Sequence, residues 1–160
     1  MRRFSITIFA LAAGLVAGCG DHQGVTHDAG PAAKHEHKPP HGGTPVVFGQ
    51  EEYHLELVMD APAGKLQAYV FDGEMDNFVR ITAPSFEVTA KLPGQDQVLT
   101  FTAVPNTATG ETVGDTALFE AQAEWLKTTR IFDAVLKEVT VKGTTYRDVA
   151  FNFPKGNDKN

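Results

Sequence analysis

A period of two runs through this chain from Thr44 onward, and no other feature limits its fold so tightly. Tyr53, Leu55, Leu57 and Met59 alternate with His54, Glu56, Val58 and Asp60, as a strand with one apolar face requires. The cluster Asp60-Ala61-Pro62-Ala63-Gly64 is a turn, and Leu66 to Phe71 is the returning strand. Asp72-Gly73 opens the next turn, and Asn77 to Thr82 predicts a short strand stopped by Pro84. Phe86 to Leu92 and Val98 to Val104 repeat the pattern, as do Phe132 to Val141 and Thr145 to Phe153. Lys142-Gly143 joins the last two as a hairpin, with Val149, Phe151 and Phe153 as an inward row. Leu118 to Leu126 fits two periods. Phe119, Ala121, Ala123 and Trp125 alternate, while Leu118, Ala121 and Trp125 also share one helical face. A strand, or a strand breaking into a short turn near Trp125, is the preferred reading. Pro105 to Thr116 is a long polar loop, expected as a mobile rim. There is no sustained helical pattern and no repeat. Seven or eight short antiparallel strands predict an all-β domain over residues 41–154. An immunoglobulin-like β-sandwich without the Cys-Trp-Cys hallmark is the first architecture, and a small β-barrel is the alternative. Residues 155–160 read as a disordered tail.

The N-terminus has a different logic. Met1-Arg2-Arg3 is a short basic segment, and Phe4 to Ala17 is an apolar run of about fourteen residues, shorter than the ~20 a bilayer-spanning helix needs. That length suits the apolar region of a signal peptide, here residues 1–18. Val16-Ala17-Gly18-Cys19 resembles the bacterial lipobox, which implies cleavage before Cys19 and a lipid on its sulfur. Several acyl chains anchor stably where one does not. Gly20 after the cysteine favours the outer membrane. The expected location is thus the cell envelope, lipid-anchored through Cys19 and facing the periplasm.

Residues 19–40 read as a flexible tether. Gly20 to Pro40 holds three Gly, three Pro and four His and almost nothing apolar, too little to offset the entropy of ordering. His35-Glu36-His37 sets two imidazoles within reach of one Zn, Cu, Ni or Co ion. All six histidines lie at or before position 54, so imidazole chemistry belongs to the seam between tether and domain. On β spacing His54 and Glu56 share a face, about 7 Å apart along the strand. His41, folding back through Gly42-Gly43, would join them as a mixed nitrogen–oxygen metal site completed by His37 or water. The competing reading leaves His54 a half-exposed sheet residue and His41 a loop residue.

Composition excludes several classes. The formal net charge is −6, and becomes −8 once Arg2 and Arg3 leave with the signal peptide. So acidic a surface argues against nucleic-acid binding. The single cysteine, Cys19, excludes an internal disulfide and a Cys-rich zinc site. Past Cys19 the one serine is Ser85, with no nucleophile-elbow glycines around it. P-loop, Rossmann and H-E-x-x-H patterns are absent. Asp72, Glu74 and Asp76 alternate in one loop but lack the register of a calcium loop, and read as a solvated acidic turn. The expectation is a protein that is not an enzyme.

Pro40-His41-Gly42-Gly43-Thr44, then Tyr53 to Val58, then Tyr69-Val70-Phe71-Asp72-Gly73, resembles a small β-domain. That domain is found at the N-terminus of some periplasmic adaptor subunits of heavy-metal efflux pumps and in stand-alone bacterial lipoproteins. The resemblance spans residues 40–75 and implies periplasmic metal handling, with an efflux-system protein as a possible partner. The adaptors' coiled-coil hairpin and lipoyl-like halves have no counterpart here. The expected function is therefore a lipid-anchored accessory protein binding a transition metal through His41, His54, Glu56, His35 and His37. The alternative is an envelope scaffold, or a protein- or glycan-binding module, with no metal role.

Overall fold

The computed structural model describes residues 38–158. Cys19, His35 and His37, together with the expected signal peptide and most of the tether, lie outside the described residues. Eight strands follow one another: β1 (Thr44–Phe48), β2 (Tyr53–Asp60), β3 (Lys65–Asp72), β4 (Ser85–Leu92), β5 (Gln95–Ala103), β6 (Leu118–Gln122), β7 (Phe132–Val141) and β8 (Thr144–Phe153). All pair antiparallel in one sheet, ordered β1-β2-β3-β6-β5-β4-β7-β8. The chain is all-β, as its alternation predicts. A sandwich would break this sheet into two; instead it runs on through eight strands and nearly closes, the barrel-like alternative. Eight strands enclose a space that side chains just fill. Leu55, Leu57, Val70, Phe101, Phe119 and Leu136 are among those filling it. Each large apolar side chain so buried stabilises the fold by about 1.5–3 kcal/mol.

The remaining gap lies between β1 and β8, and the C-terminal residues close it. Thr44 Oγ1 donates to the Pro154 carbonyl at 3.2 Å. The Asn157 side chain acts as a substitute peptide group: its Oδ1 accepts from Val47 N at 2.7 Å, and its Nδ2 donates to Val47 O at 3.1 Å. Gly156, at φ +78°, lies so close to the Pro45 carbonyl that a Cβ would collide with it. The tail expected to be disordered from 155 is therefore bonded to β1 as far as Asn157.

Two other expectations change, and one ambiguity resolves as preferred. Asn77 to Thr82 is not a strand. Val79 and Ile81 point inward and are buried, but the segment makes only isolated bridges, Phe71 to Phe78 and Ile81 to Thr116. It wedges between the end of β3 and Thr116, just beyond the bond from Val70 N to Ala117 O. Val79 N donates to Val70 O at 2.8 Å, and Ile81 N to Thr116 O at 3.0 Å. The eighth strand is instead β1, whose five residues are too few to stand out by alternation. The Pro105–Thr116 loop is tied down rather than a free rim. Arg80 donates to Thr109 O at 2.7 Å and to Asp115 at 3.2 Å. Glu111 Oε2 accepts from Asn106 N at 3.0 Å and Thr116 Oγ1 at 2.8 Å. The ambiguous stretch resolves as β6 followed by a 3-10 turn, Glu124–Lys127, around Trp125.

Candidate functional site

β2 departs from the pattern of a half-buried strand. Leu55 and Leu57 face the interior, yet His54 and Glu56 on the opposite face are also 0% exposed. A buried ionised carboxylate is costly unless hydrogen-bonded, so something must cover and satisfy Glu56.

The cover is His41-Gly42-Gly43. Glu56 Oε1 accepts from His41 N at 2.8 Å and Gly43 N at 2.9 Å, and Oε2 meets His41 Nδ1 at 2.7 Å. An ionised carboxylate only accepts, so the imidazole carries its proton on Nδ1. Both glycines are required. Gly42 sits at φ +67°, the left-handed region, and turns the chain back. Gly43 runs so close to β2 that a Cβ would lie 2.5 Å from Leu57 O and 2.9 Å from Glu56 Cγ. The carboxylate thus clamps the chain entering the barrel against the sheet's outer face.

The imidazole then extends an aromatic cluster. Cross-strand pairing sets Tyr69 beside Glu56 and Phe71 beside His54. The His41 ring stacks on Tyr69 at 4.1 Å and 17°, and Phe71 stacks on Phe78 at 4.7 Å and 29°. Tyr69 and Phe78 meet at an angle, 6.1 Å and 41°, forming an aromatic corner. The turn after β3 places Phe78. Asp72 Oδ1 accepts from Asp76 N at 3.0 Å and Asn77 N at 3.2 Å, and Oδ2 accepts from Asn77 Nδ2 at 2.7 Å. Burial works against ionisation of Asp72, but those three bonds and nearby His54 outweigh it, holding the carboxyl below its ordinary value. Met75, left-handed at φ +58° and buried, anchors the turn from beneath. Asp72, Glu74 and Asp76 therefore do not converge as a calcium loop, since Asp72 is spent on its own turn.

Beside the corner is a cleft of ≈ 150 Å³. Tyr69, Phe78, Ala117 and Leu118 give it an apolar lining, and Asn106, Thr109 and Glu111 its polar part. That volume matches an engineered cavity known to take benzene, so one ring-sized group fits. Phe78 remains 56% exposed beside it. Burial first, then the charges of Glu56 and Glu120, push the Tyr69 phenol above its ordinary value.

Of the metal-ligand set read from sequence, the structure joins His41 and Glu56. His54 lies two residues along β2 from Glu56, its Nδ1 3.3 Å from the Asp72 carbonyl oxygen; since that oxygen only accepts, this nitrogen also carries the proton. Both Glu56 oxygens are already taken. Among the described residues no group of three or more His, Cys, Asp or Glu side chains is arranged to hold a metal ion. Tyr69, Phe78, Asn106 and Glu111 were not singled out from sequence as site residues. One signal was present: in Asn77 to Thr82, Phe78 falls on the same face as Arg80, opposite Val79 and Ile81, so a large aromatic occupies the polar side. No family model matches the chain, and neither a curated protein nor a solved structure does.

Proposed function

We propose that this chain is a non-catalytic binding module of the bacterial envelope, lipid-anchored through Cys19, whose recognition surface is the aromatic cleft beside the His41–Glu56 clamp. The observation that carries this reading is Phe78. It is 56% exposed at the mouth of a ring-sized cleft, although the Asp72 turn fixes its position. Rigid exposed aromatics next to a few polar groups are what small-ligand sites use. The clamp serves the site by holding Tyr69 from behind. The test is a nuclear magnetic resonance screen with ring-sized amphiphilic probes. Shifts should gather at Tyr69, Phe78, Asn106 and Leu118 and vanish in Phe78→Ala; shifts scattered over the surface would sink the reading.

A second reading keeps the metal role, and one observation favours it. Glu56 takes Nδ1 of His41, leaving Nε2 as the lone-pair nitrogen on a side chain 35% exposed. A carboxylate orienting a histidine from behind is a common feature of metal sites. His41 would then be the fixed ligand for Zn, Cu, Ni or Co, His35 and His37 the ligands from the tether, and Glu56 an orienting group. An efflux-system partner belongs with this reading. Calorimetric titration with each metal decides it: affinity unchanged in both His41→Ala and the double variant His35→Ala/His37→Ala would remove the metal role.

A further inference from the structure

The charge around the cleft selects among ring-sized ligands. Glu111 lines it, and the charges of Glu56 and Glu120 reach Tyr69 in its wall. Arg80 is spent on Glu111 and Asp115, and Lys65 on Glu120 at 2.8 Å. Glu56 has no lysine or arginine partner among the described residues; its ion-pair contact is His41, which is charged only when protonated. This carboxylate is fully buried beside Tyr69, where water screens it poorly. His41 stacks on one face of Tyr69 and Phe71 on one face of Phe78, and among the described residues no other ring stacks on either. Electron-rich ring faces meeting at 41° attract a cation. Glu111, an acid in the cleft lining, disfavours an anion there.

From the aromatic corner and the buried Glu56 carboxylate beside it, we infer that the cleft binds a small organic cation, a quaternary ammonium or an alkylated amine of about one ring's volume. The inference rests on the cleft being the recognition surface and adds the ligand's charge. Binding forms no covalent bond: an alkylated cation exchanges water for ring faces with carboxylates nearby. A neutral group of the same shape would gain the apolar contact but not the electrostatic one.

The probe is choline, paired with its uncharged carbon isostere, in which a tert-butyl group replaces trimethylammonium. Each is titrated into the isotope-labelled full chain in a maltoside detergent while backbone amide shifts are followed. Choline is expected to shift amides at Tyr69, Phe78, Asn106 and Leu118 and to bind about tenfold more tightly than the isostere, the scale of a partly desolvated cation–π contact. Phe78→Leu, which keeps an apolar wall but removes the ring, should cut choline binding severalfold and leave the isostere nearly unchanged. Equal binding of both probes at these amides would overturn the cationic preference and leave the cleft standing as an apolar site. Absence of shifts there with either probe would overturn the cleft reading as well. Choline affinity unchanged in Phe78→Leu would show that the aromatic corner does not hold the cation.

Discussion

Replacing Glu56 tests the clamp at its centre. Its carboxylate takes three hydrogen bonds of 2.7 to 2.9 Å from the chain entering the barrel. Bonds to a charged group are worth about 1.5–3 kcal/mol each, but their sum overstates the net, because burying the carboxylate costs several kcal/mol. Glu56→Gln and Glu56→Ala separate these effects. The glutamine oxygen can still accept from both amides, and His41 can change tautomer to accept from the new NH2. Three neutral bonds replace three charged ones while the desolvation cost falls, so the expected loss is about 1 kcal/mol. Alanine leaves the amides of His41 and Gly43 without an acceptor and empties a packed site, at about 3 kcal/mol in all. Peeling residues 38–43 off the sheet limits that loss, since those amides then reach water. A loss of 3 kcal/mol would lower the melting temperature by roughly 10 °C in a domain of this size. Urea unfolding followed by circular dichroism gives the free energies, and hydrogen exchange at His41 and Gly43 reports the clamp itself. If Glu56→Ala costs under ~1 kcal/mol and both amides keep their protection, the carboxylate does not hold the segment and the reasoning fails.

Three further predictions follow from local geometry. Gly43→Ala should destabilise by about 2–3 kcal/mol through collision with Leu57 O and Glu56, while Gly42→Ala, with open space around it, should cost only the left-handed strain of about 1 kcal/mol; equal losses in thermal melts would contradict this account. Asn157→Ala removes both bonds to Val47 and should speed exchange of the Val47 amide, with a stability loss of about 1–2 kcal/mol; unchanged exchange would mean the seam closes without it. Tyr146 donates to Glu52 at 2.6 Å, and burial, then that bond, push its phenol from 10.0 up to about 12. The unfolded chain loses this proton first, so the contribution is whole below about pH 10 and disappears as pH rises through about 12. Tyr146→Phe should therefore lose about 1 kcal/mol at neutral pH and show a shallower decline in urea midpoint above pH ~10; parallel declines in both proteins would refute it.

Local sequence alone settled most of the strands and turns, though not β1 or the Asn77–Thr82 segment. Alternation in Tyr53 to Asp60, the Asp60–Gly64 turn and the Lys142-Gly143 hairpin depend on side-chain period and backbone sterics, which act over a few residues. The proximity of His41 and Glu56 was also legible, because the glycine pair leaves the chain few ways to enter the first long strand except by folding back over it. Strand order was not legible: a sandwich and a barrel bury the same alternating rows, and only long-range pairing of β3 with β6 and β4 with β7 separates them. The same holds for the tail, whose polar residues gave no sign that Asn157 would stand in for a missing strand. The cleft belongs wholly to the tertiary structure. Phe78 wedges in beside the end of β3, Arg80 pins the loop carrying Glu111, and Leu118 lies across from Tyr69. These residues span positions 69–118, and no local period relates them. What sequence determined is which faces are apolar; which faces meet, and the cleft where they do, is fixed by closure of the sheet, a property of the whole chain.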